Sequence, residues 1–208
     1  IYLYRGGNTS TDYNTIFTSG SSSDGIRLLE SNNNTLYKNF INTSSLDDSH
    51  GIWAEMSDYS TIISNTIFTS GLFARGIRLR SSFSTIANNS IVTYGEEGYG
   101  IQLRNGVAFN DIISNNISTY GQFGYGINLF LNVQNSSVKE NKILTFGDDG
   151  IGIKCNNCSN LNIMNNNIST FGLRSYGSLL DEKTLNTTLY NNTIFTNNTD
   201  ADGVYIDS

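Results

Sequence analysis

Asparagine, isoleucine and threonine return along this chain at a nearly fixed interval. The tripeptide Asn-x-Ile begins at Asn14, Asn39, Asn65, Asn89, Asn115, Asn141, Asn166 and Asn192, so successive copies lie 24 to 26 residues apart. Two residues beyond each isoleucine stands a threonine, from Thr18 to Thr196. A second motif, Gly-Ile-x-Leu, opens the repeat. It reads Gly25-Ile26-Arg27-Leu28, Gly76-Ile77-Arg78-Leu79, Gly100-Ile101-Gln102-Leu103 and Gly126-Ile127-Asn128-Leu129, with variants at Gly51, Gly152 and Gly203. The copy at Gly177 diverges most, with Ser178 where isoleucine is expected. A third apolar position, three residues before the Asn, holds Leu36, Ile62, Ile86, Ile112, Val138, Ile163 and Leu189. Within each motif the apolar residues alternate with polar ones, and Gly, Asn, Ser and Asp cluster between motifs. That pattern predicts three short strands per repeat, joined by turns.

A coil of about 25 residues cannot bury its apolar face alone; stacked coils make a continuous core. Equivalent strands then pair in parallel, and each buried Asn stacks on the Asn of the next coil, where the amides satisfy one another along the column. The repeat resembles the right-handed parallel β-helix family, the pectate-lyase-like solenoids, over essentially the whole chain. The resemblance implies an all-β fold: a right-handed parallel β-helix of about eight coils, each of 24–26 residues and three short strands. At about 4.8 Å per coil the rod is roughly 40 Å long. Both ends stop inside a repeat and neither carries the pattern of a capping helix. The expectation is one β-helix domain, 1–208, that is a section of a longer chain or a unit stacking end to end on itself.

Composition supports this reading and narrows the function. There are 30 Asn and 46 Ser plus Thr in 208 residues, with no Pro. Scarce Ala and abundant β-branched residues argue against helices. Twelve Lys and Arg against 18 Asp and Glu give a net charge of −6, which lacks the basic footprint of a nucleic-acid binder. No apolar run reaches the roughly 20 residues of a membrane-spanning helix. The two cysteines, Cys155 and Cys158, are too few for a disulfide scaffold; a buried thiol pair or one local disulfide is expected. The single histidine, His50, removes Ser-His-Asp catalysis and histidine-based zinc sites as natural readings. No metal and no cofactor are expected.

Three groups of residues bear on function. Gly147-Asp148-Asp149-Gly150 is similar to the paired-Asp strand of polygalacturonase-type glycoside hydrolases, which are also right-handed β-helices. Two carboxylates at the mouth of a sugar groove suit acid and base roles, and Lys154 follows on the next strand. That resemblance implies a further Asp in the preceding coil and a Gly-His-Gly in the following one. Tyr125-Gly126-Ile127-Asn128 and Tyr176-Gly177-Ser178 supply neither. The variable position of Gly-Ile-x-Leu carries Arg27, Trp53 and Arg78 in consecutive coils, a sugar-stacking platform or a cation–π column. Tyr94, Tyr120, Phe146 and Phe171 share one repeat position and Tyr99, Tyr125 and Tyr176 another, as polysaccharide-facing or self-stacking columns. Arg27, Trp53, Arg78, Tyr94 and Tyr120 are therefore the expected ligand-binding residues, and Asp148, Asp149 and Lys154 the alternative catalytic set.

Eleven Asn-x-Ser/Thr sequons, against roughly seven expected by chance, fit an exported glycoprotein. The leading expectation is an extracellular or cell-surface structural solenoid, a component of a filament, sheath, fibre or adhesin, without catalysis of its own. The alternative is a carbohydrate-active enzyme, a polysaccharide hydrolase or lyase, or a polysaccharide-binding module. Expected partners are neighbouring coils and polysaccharide, with no nucleic acid and no membrane insertion.

Overall fold

The computed structural model describes residues 1–45, 47–181 and 183–207. Among them are 25 strands of three or four residues and no helix. The strands form three parallel sheets that run the length of the stack. Sheet 1 has nine strands, from Tyr2–Tyr4 to Val204–Ile206, and contains the Gly-Ile-x-Leu segments. Sheet 2 has eight, from Ser10–Asp12 to Thr188–Tyr190, and sheet 3 has eight, from Thr15–Thr18 to Thr193–Thr196. Register follows the sequence motif: Ile77 pairs with Ile52 on one side and Ile101 on the other. Ile91 likewise pairs with Ile67 and Ile117.

Alternation sends one side chain of each pair inward. Ile26, Ile52, Ile77, Ile101, Ile127 and Ile153 form one fully buried column, and Ile41, Ile67, Ile91, Ile117, Ile143 and Ile168 another. At Gly177 the divergent Ser178 still points inward, fully buried, and its hydroxyl has no partner. Cys155 and Cys158 are both buried free thiols.

The glycine that opens each coil is required by a close approach. A methyl group on Gly100 would lie 2.3 Å from Ile117 Cγ2 and 2.6 Å from the Gly126 carbonyl oxygen. The same contacts recur at Gly25, Gly51, Gly76, Gly126, Gly152 and Gly177. Any larger residue would push apart the inner edge of sheet 1 and the isoleucine column of sheet 3.

The asparagine column makes the sharp corner between sheets 2 and 3. Each amide Nδ2 donates to the next asparagine's Oδ1 at 2.9–3.0 Å, from Asn14 through Asn39, Asn65, Asn89, Asn115 and Asn141 to Asn166 and Asn192. The same Oδ1 also accepts the backbone N–H of the preceding coil's asparagine. The residue before each ladder Asn turns the chain with φ of 52 to 58°, whether it is Tyr13, Lys38, Ser64, Asn88, Ser114, Glu140, Asn165 or Asn191. A left-handed backbone costs most side chains about 1 kcal/mol or more. The ladder bonds hold it there. Because hydrocarbon and amides occupy the inside, chemistry that varies from coil to coil is confined to the outward positions.

Candidate functional site

Sheet 1 differs from the other two in charge. Its strands carry Arg27, Arg78, Arg80, Arg104 and Lys154 against Glu55 alone. Those of sheet 2 carry Lys139 with Asp12 and Asp111, and those of sheet 3 only Lys142. The outward column of sheet 1 reads Tyr2, Arg27, Trp53, Arg78, Gln102, Asn128, Lys154, by direct pairing from coil to coil. Beside it, the residue before each opening glycine gives a second column: Asp24, His50, Arg75, Tyr99, Tyr125.

The two columns interlock around Trp53. The Arg27 guanidinium lies 4.0 Å from its ring centroid and that of Arg78 4.8 Å, one on each neighbouring coil. His50 meets the indole edge-on at 5.5 Å. The imidazole is completely buried, and its backbone N–H donates to Asp24 Oδ1 at 2.9 Å. Its Nδ1 accepts the Arg75 backbone N–H at 3.1 Å. Burial, then the charges of Arg78, Arg75 and Arg27, push the His50 pKa down to about 2, so the ring is neutral. With Nδ1 accepting, the ring proton sits on Nε2. There it faces Asp48 Oδ1 at 3.4 Å and Arg78 Nη1 at 2.9 Å. Arg78, itself a donor, gains no hydrogen bond from that contact.

Asp48 is the anion of the cluster, 2.9 Å from Arg75 Nη1 and 3.8 Å from Arg78 Nη1. Asp24 behaves differently. Burial is the largest influence on it and outweighs the His50 N–H and the charge of Arg27, raising its pKa to about 6. With Ser22, Arg27, Tyr2 and Ile1 it lines a shallow open pocket of about 210 Å³. Further along, Arg75 stacks on Tyr99 at 5.0 Å, and Tyr99 stacks on Tyr125 at 4.8 Å with planes 4° apart. Lys154 lies 5.2 Å from the Tyr125 centroid. Burial raises the pKa of both tyrosines, which therefore stay protonated donors.

Of the residues expected to bind ligand, Arg27, Trp53 and Arg78 come together here. Tyr94 and Tyr120 do not join them. They lie beyond sheet 3 in a stack with Phe146 and Phe171, with centroids 4.7–5.2 Å apart and planes within 16°. Face-to-face stacking covers the ring faces between neighbours and leaves mainly edges for solvent. The alternative catalytic residues are engaged within the stack. Arg174 binds both oxygens of Asp149 at 2.7 Å and holds its pKa below the usual carboxylate value. Asp148 Oδ1 accepts the Leu173 backbone N–H at 2.9 Å. Both carboxylates thus brace one turn against the next, while Lys154 stands on sheet 1. Asp24, Asp48, Arg75, Gln102 and Asn128 were not among the residues expected to form a site. For Asp24 and Arg75 the signal was available in the position before the opening glycine, which was read for its tyrosines alone.

Three solved structures share this architecture. DFA-IIIase from Arthrobacter chlorophenolicus A6 superposes with a TM-score of 0.73 at 13% identity, covering 91% of this chain and 50% of its own. The mannuronan C-5 epimerase AlgE4 A-module of Azotobacter vinelandii gives 0.67 at 13% identity, over 96% of this chain and 56% of the other. The periplasmic alginate epimerase AlgG gives 0.63 at 16% identity, over 89% and 48%. The chain thus spans about half the length of the solved structures it matches, and at this identity the likeness is one of fold. No curated protein matches the sequence. The right handed beta helix region family matches residues 1–143 and again 76–208, two overlapping stretches that cover every coil, and the chain belongs to that family.

Proposed function

We propose that this chain is the polysaccharide-engaging solenoid of a carbohydrate-active enzyme, and that the outer face of sheet 1 receives an acidic polysaccharide. The observation that carries the reading is charge segregation. In a chain of net charge −6, five of the 12 cations stand on the strands of one sheet beside a single carboxylate. The adjoining turns add Arg75 together with Asp24 and Asp48, and Arg104 and Lys154 have no carboxylate within ion-pair distance among the described residues. Such a face attracts a polyanion, and low-dielectric neighbours strengthen each contact. A coil rise of about 4.8 Å is close to the length of one sugar in an extended polysaccharide, so a chain laid along the stack meets each coil in turn. The epimerases of similar fold, named for mannuronan and alginate, support this alternative over the filament or adhesin reading.

The chemistry proposed for the face is proton transfer beside a sugar carboxylate. Guanidinium groups that neutralise a carboxylate acidify the neighbouring C–H, the shared first step of epimerisation and elimination. Asp24, titrating near pH 6 beside Arg27, is the group that takes or returns the proton. His50 accepts the Arg75 backbone N–H, packs edge-on against Trp53 and, fully buried, does not touch ligand.

Trp53 is the only tryptophan, so its fluorescence reports on the site directly. Titration with polygalacturonate or alginate should change its emission, with an apparent affinity that falls as salt rises. Dextran should leave it unchanged. An equal response to dextran, or none to any polyuronate, overturns the reading.

A further inference from the structure

We infer that Asp48 stands in for a ligand carboxylate: Arg75 and Arg78 are the seat for one uronate of the bound chain, Asp48 fills that seat in the free protein, and binding exchanges one carboxylate for the other. This rests on the reading of sheet 1 as an acidic-polysaccharide surface. Asp48 Oδ1 lies 2.9 Å from Arg75 Nη1 and Oδ2 3.8 Å from Arg78 Nη1, so one carboxylate spans a guanidinium from each outer column. The exposures are unequal. The Asp48 side chain is 44% exposed, those of Arg75 and Arg78 only 11% and 13%. The carboxylate is the outermost member of the cluster, and an incoming anion meets it before it meets the two arginines. In the brace between Asp149 and Arg174 the order is reversed, with the carboxylate 20% and the guanidinium 54% exposed.

The turn that delivers Asp48 is built differently from its counterparts. Seven residues separate Thr43 from the opening Gly51, where six separate the equivalent threonine and glycine in every other coil. The extra residue shows in the bond that closes the turn. Thr43 Oγ1 donates to the carbonyl of Ser49, six residues on, whereas Thr18, Thr93, Thr119 and Thr170 donate to the carbonyl five residues on. The grip is also loose: one oxygen at 2.9 Å and the other at 3.8 Å, against two bonds of 2.7 Å in the Asp149 brace. Guanidinium groups bind carboxylates best through two parallel hydrogen bonds. A uronate that offers both oxygens can therefore displace Asp48, which loses little because almost half of its side chain already faces water.

The test measures polygalacturonate binding at low salt, by calorimetry with Trp53 fluorescence beside it, for wild type, Asp48→Ala and Glu97→Gln. Removing the stand-in should tighten binding about tenfold, the scale of one charge-assisted hydrogen bond that no longer competes. Asp48→Asn keeps an acceptor without the charge, so it should fall between, and it carries the comparison should Asp48→Ala fold poorly. Glu97 holds the same turn position two coils on, and its charge acts on Arg75 from beyond ion-pair distance. Glu97→Gln thus measures what the loss of a negative charge does by itself, and should gain far less. In an Arg75→Gln background the gain from Asp48→Ala should largely disappear, because the seat is gone. Without ligand Asp48→Ala should melt below wild type, and polygalacturonate should raise its melting temperature by more. Unchanged or weaker binding in both Asp48 variants, or an equal gain from Glu97→Gln, overturns this inference while the polyuronate reading stands. If wild type and every variant fail to bind, both fall together.

Discussion

Replacing Asn115 by Asp exchanges one NH₂ for one oxygen at the centre of the asparagine column. Asn115 Nδ2 donates to the Ile86 carbonyl at 2.9 Å, the Ile113 carbonyl at 3.1 Å and Asn141 Oδ1 at 3.0 Å. Its Oδ1 accepts from the backbone and side chain of Asn89, both at 3.0 Å. The residue is 1% exposed. In the variant three acceptors face an acceptor. A protonated carboxyl restores one of these bonds; Asn141 Oδ1 keeps the Asn115 N–H and the Ile113 carbonyl keeps the Asn88 N–H, so at most one oxygen is left without a donor and the expected loss is about 1–3 kcal/mol. Ionised, the group adds the cost of an uncompensated buried charge. The folded-state pKa of the introduced carboxyl is therefore raised above the unfolded value of about 3.9. The sign follows: what stability the protonated form retains is fully present below the unfolded pKa. It is lost as the pH rises through the folded one, at up to about 1.4 kcal/mol per pH unit. Urea unfolding of both proteins between pH 4 and pH 8, followed by tyrosine and tryptophan fluorescence, measures this. Coincident midpoints, or a gap that does not widen with pH, would refute the inward ladder as the element that holds the corner.

Three other outcomes are expected. Asp24→Asn should flatten the pH dependence of thermal stability: the raised pKa near 6 makes the wild-type contribution of Asp24 complete below the unfolded value and lost as pH rises through 6, so the variant gains on wild type above pH 6; equal melting-temperature profiles from pH 4 to 8 contradict this. Gly100→Ala forces a methyl group into contacts of 2.3 and 2.6 Å and should cost about 3 kcal/mol, read as a lower urea midpoint, whereas a neutral result would show that the column has slack. Tyr120→Ala removes stacking on Tyr94 and Phe146 and should cost about 1–3 kcal/mol while leaving the Trp53 titration with polyuronate unchanged; lost binding would restore the tyrosine ladder as a ligand surface.

The inside of this protein was legible because its physics repeats. Ile77 sees the same surroundings as Ile52 and Ile101, so the same residue solves each coil and the pattern shows in the sequence. The corner before each ladder Asn was less so. Glycine and asparagine announce a left-handed turn, but Tyr13, Lys38 and Glu140 adopt φ of 55, 52 and 58° because the Asn column, not their own preference, fixes the backbone. The site was legible only in part. Arg27, Trp53 and Arg78 share a motif position and so were visible as a group. Asp24, His50 and Arg75 share one too, but they differ in chemistry from coil to coil, and no periodicity marks them. Asp148 and Asp149 are an acidic pair whose letters fit catalysis and turn chemistry alike, and their partners one coil away, Arg174 and the Leu173 N–H, are set by the stack rather than by any local motif.

A solenoid separates its two tasks by the direction a side chain points. Inward positions must match the coil above and below, because isoleucine over isoleucine and amide over amide is what closes the stack. Outward positions face no such demand, so variation there is free to follow a ligand. Sheet 3 uses that freedom on Thr, Ser and Asn between apolar residues, with Lys142 as its one charge. On sheet 1 the outward chemistry changes most sharply over the coils of Arg27, Trp53 and Arg78. Those coils also contain the only histidine, the only tryptophan, and buried donors left unpaired. Unpaired buried groups and a cluster of like charges are both unfavourable to the fold by itself. That they coincide on one face and in consecutive coils is what the proposed anionic ligand would require.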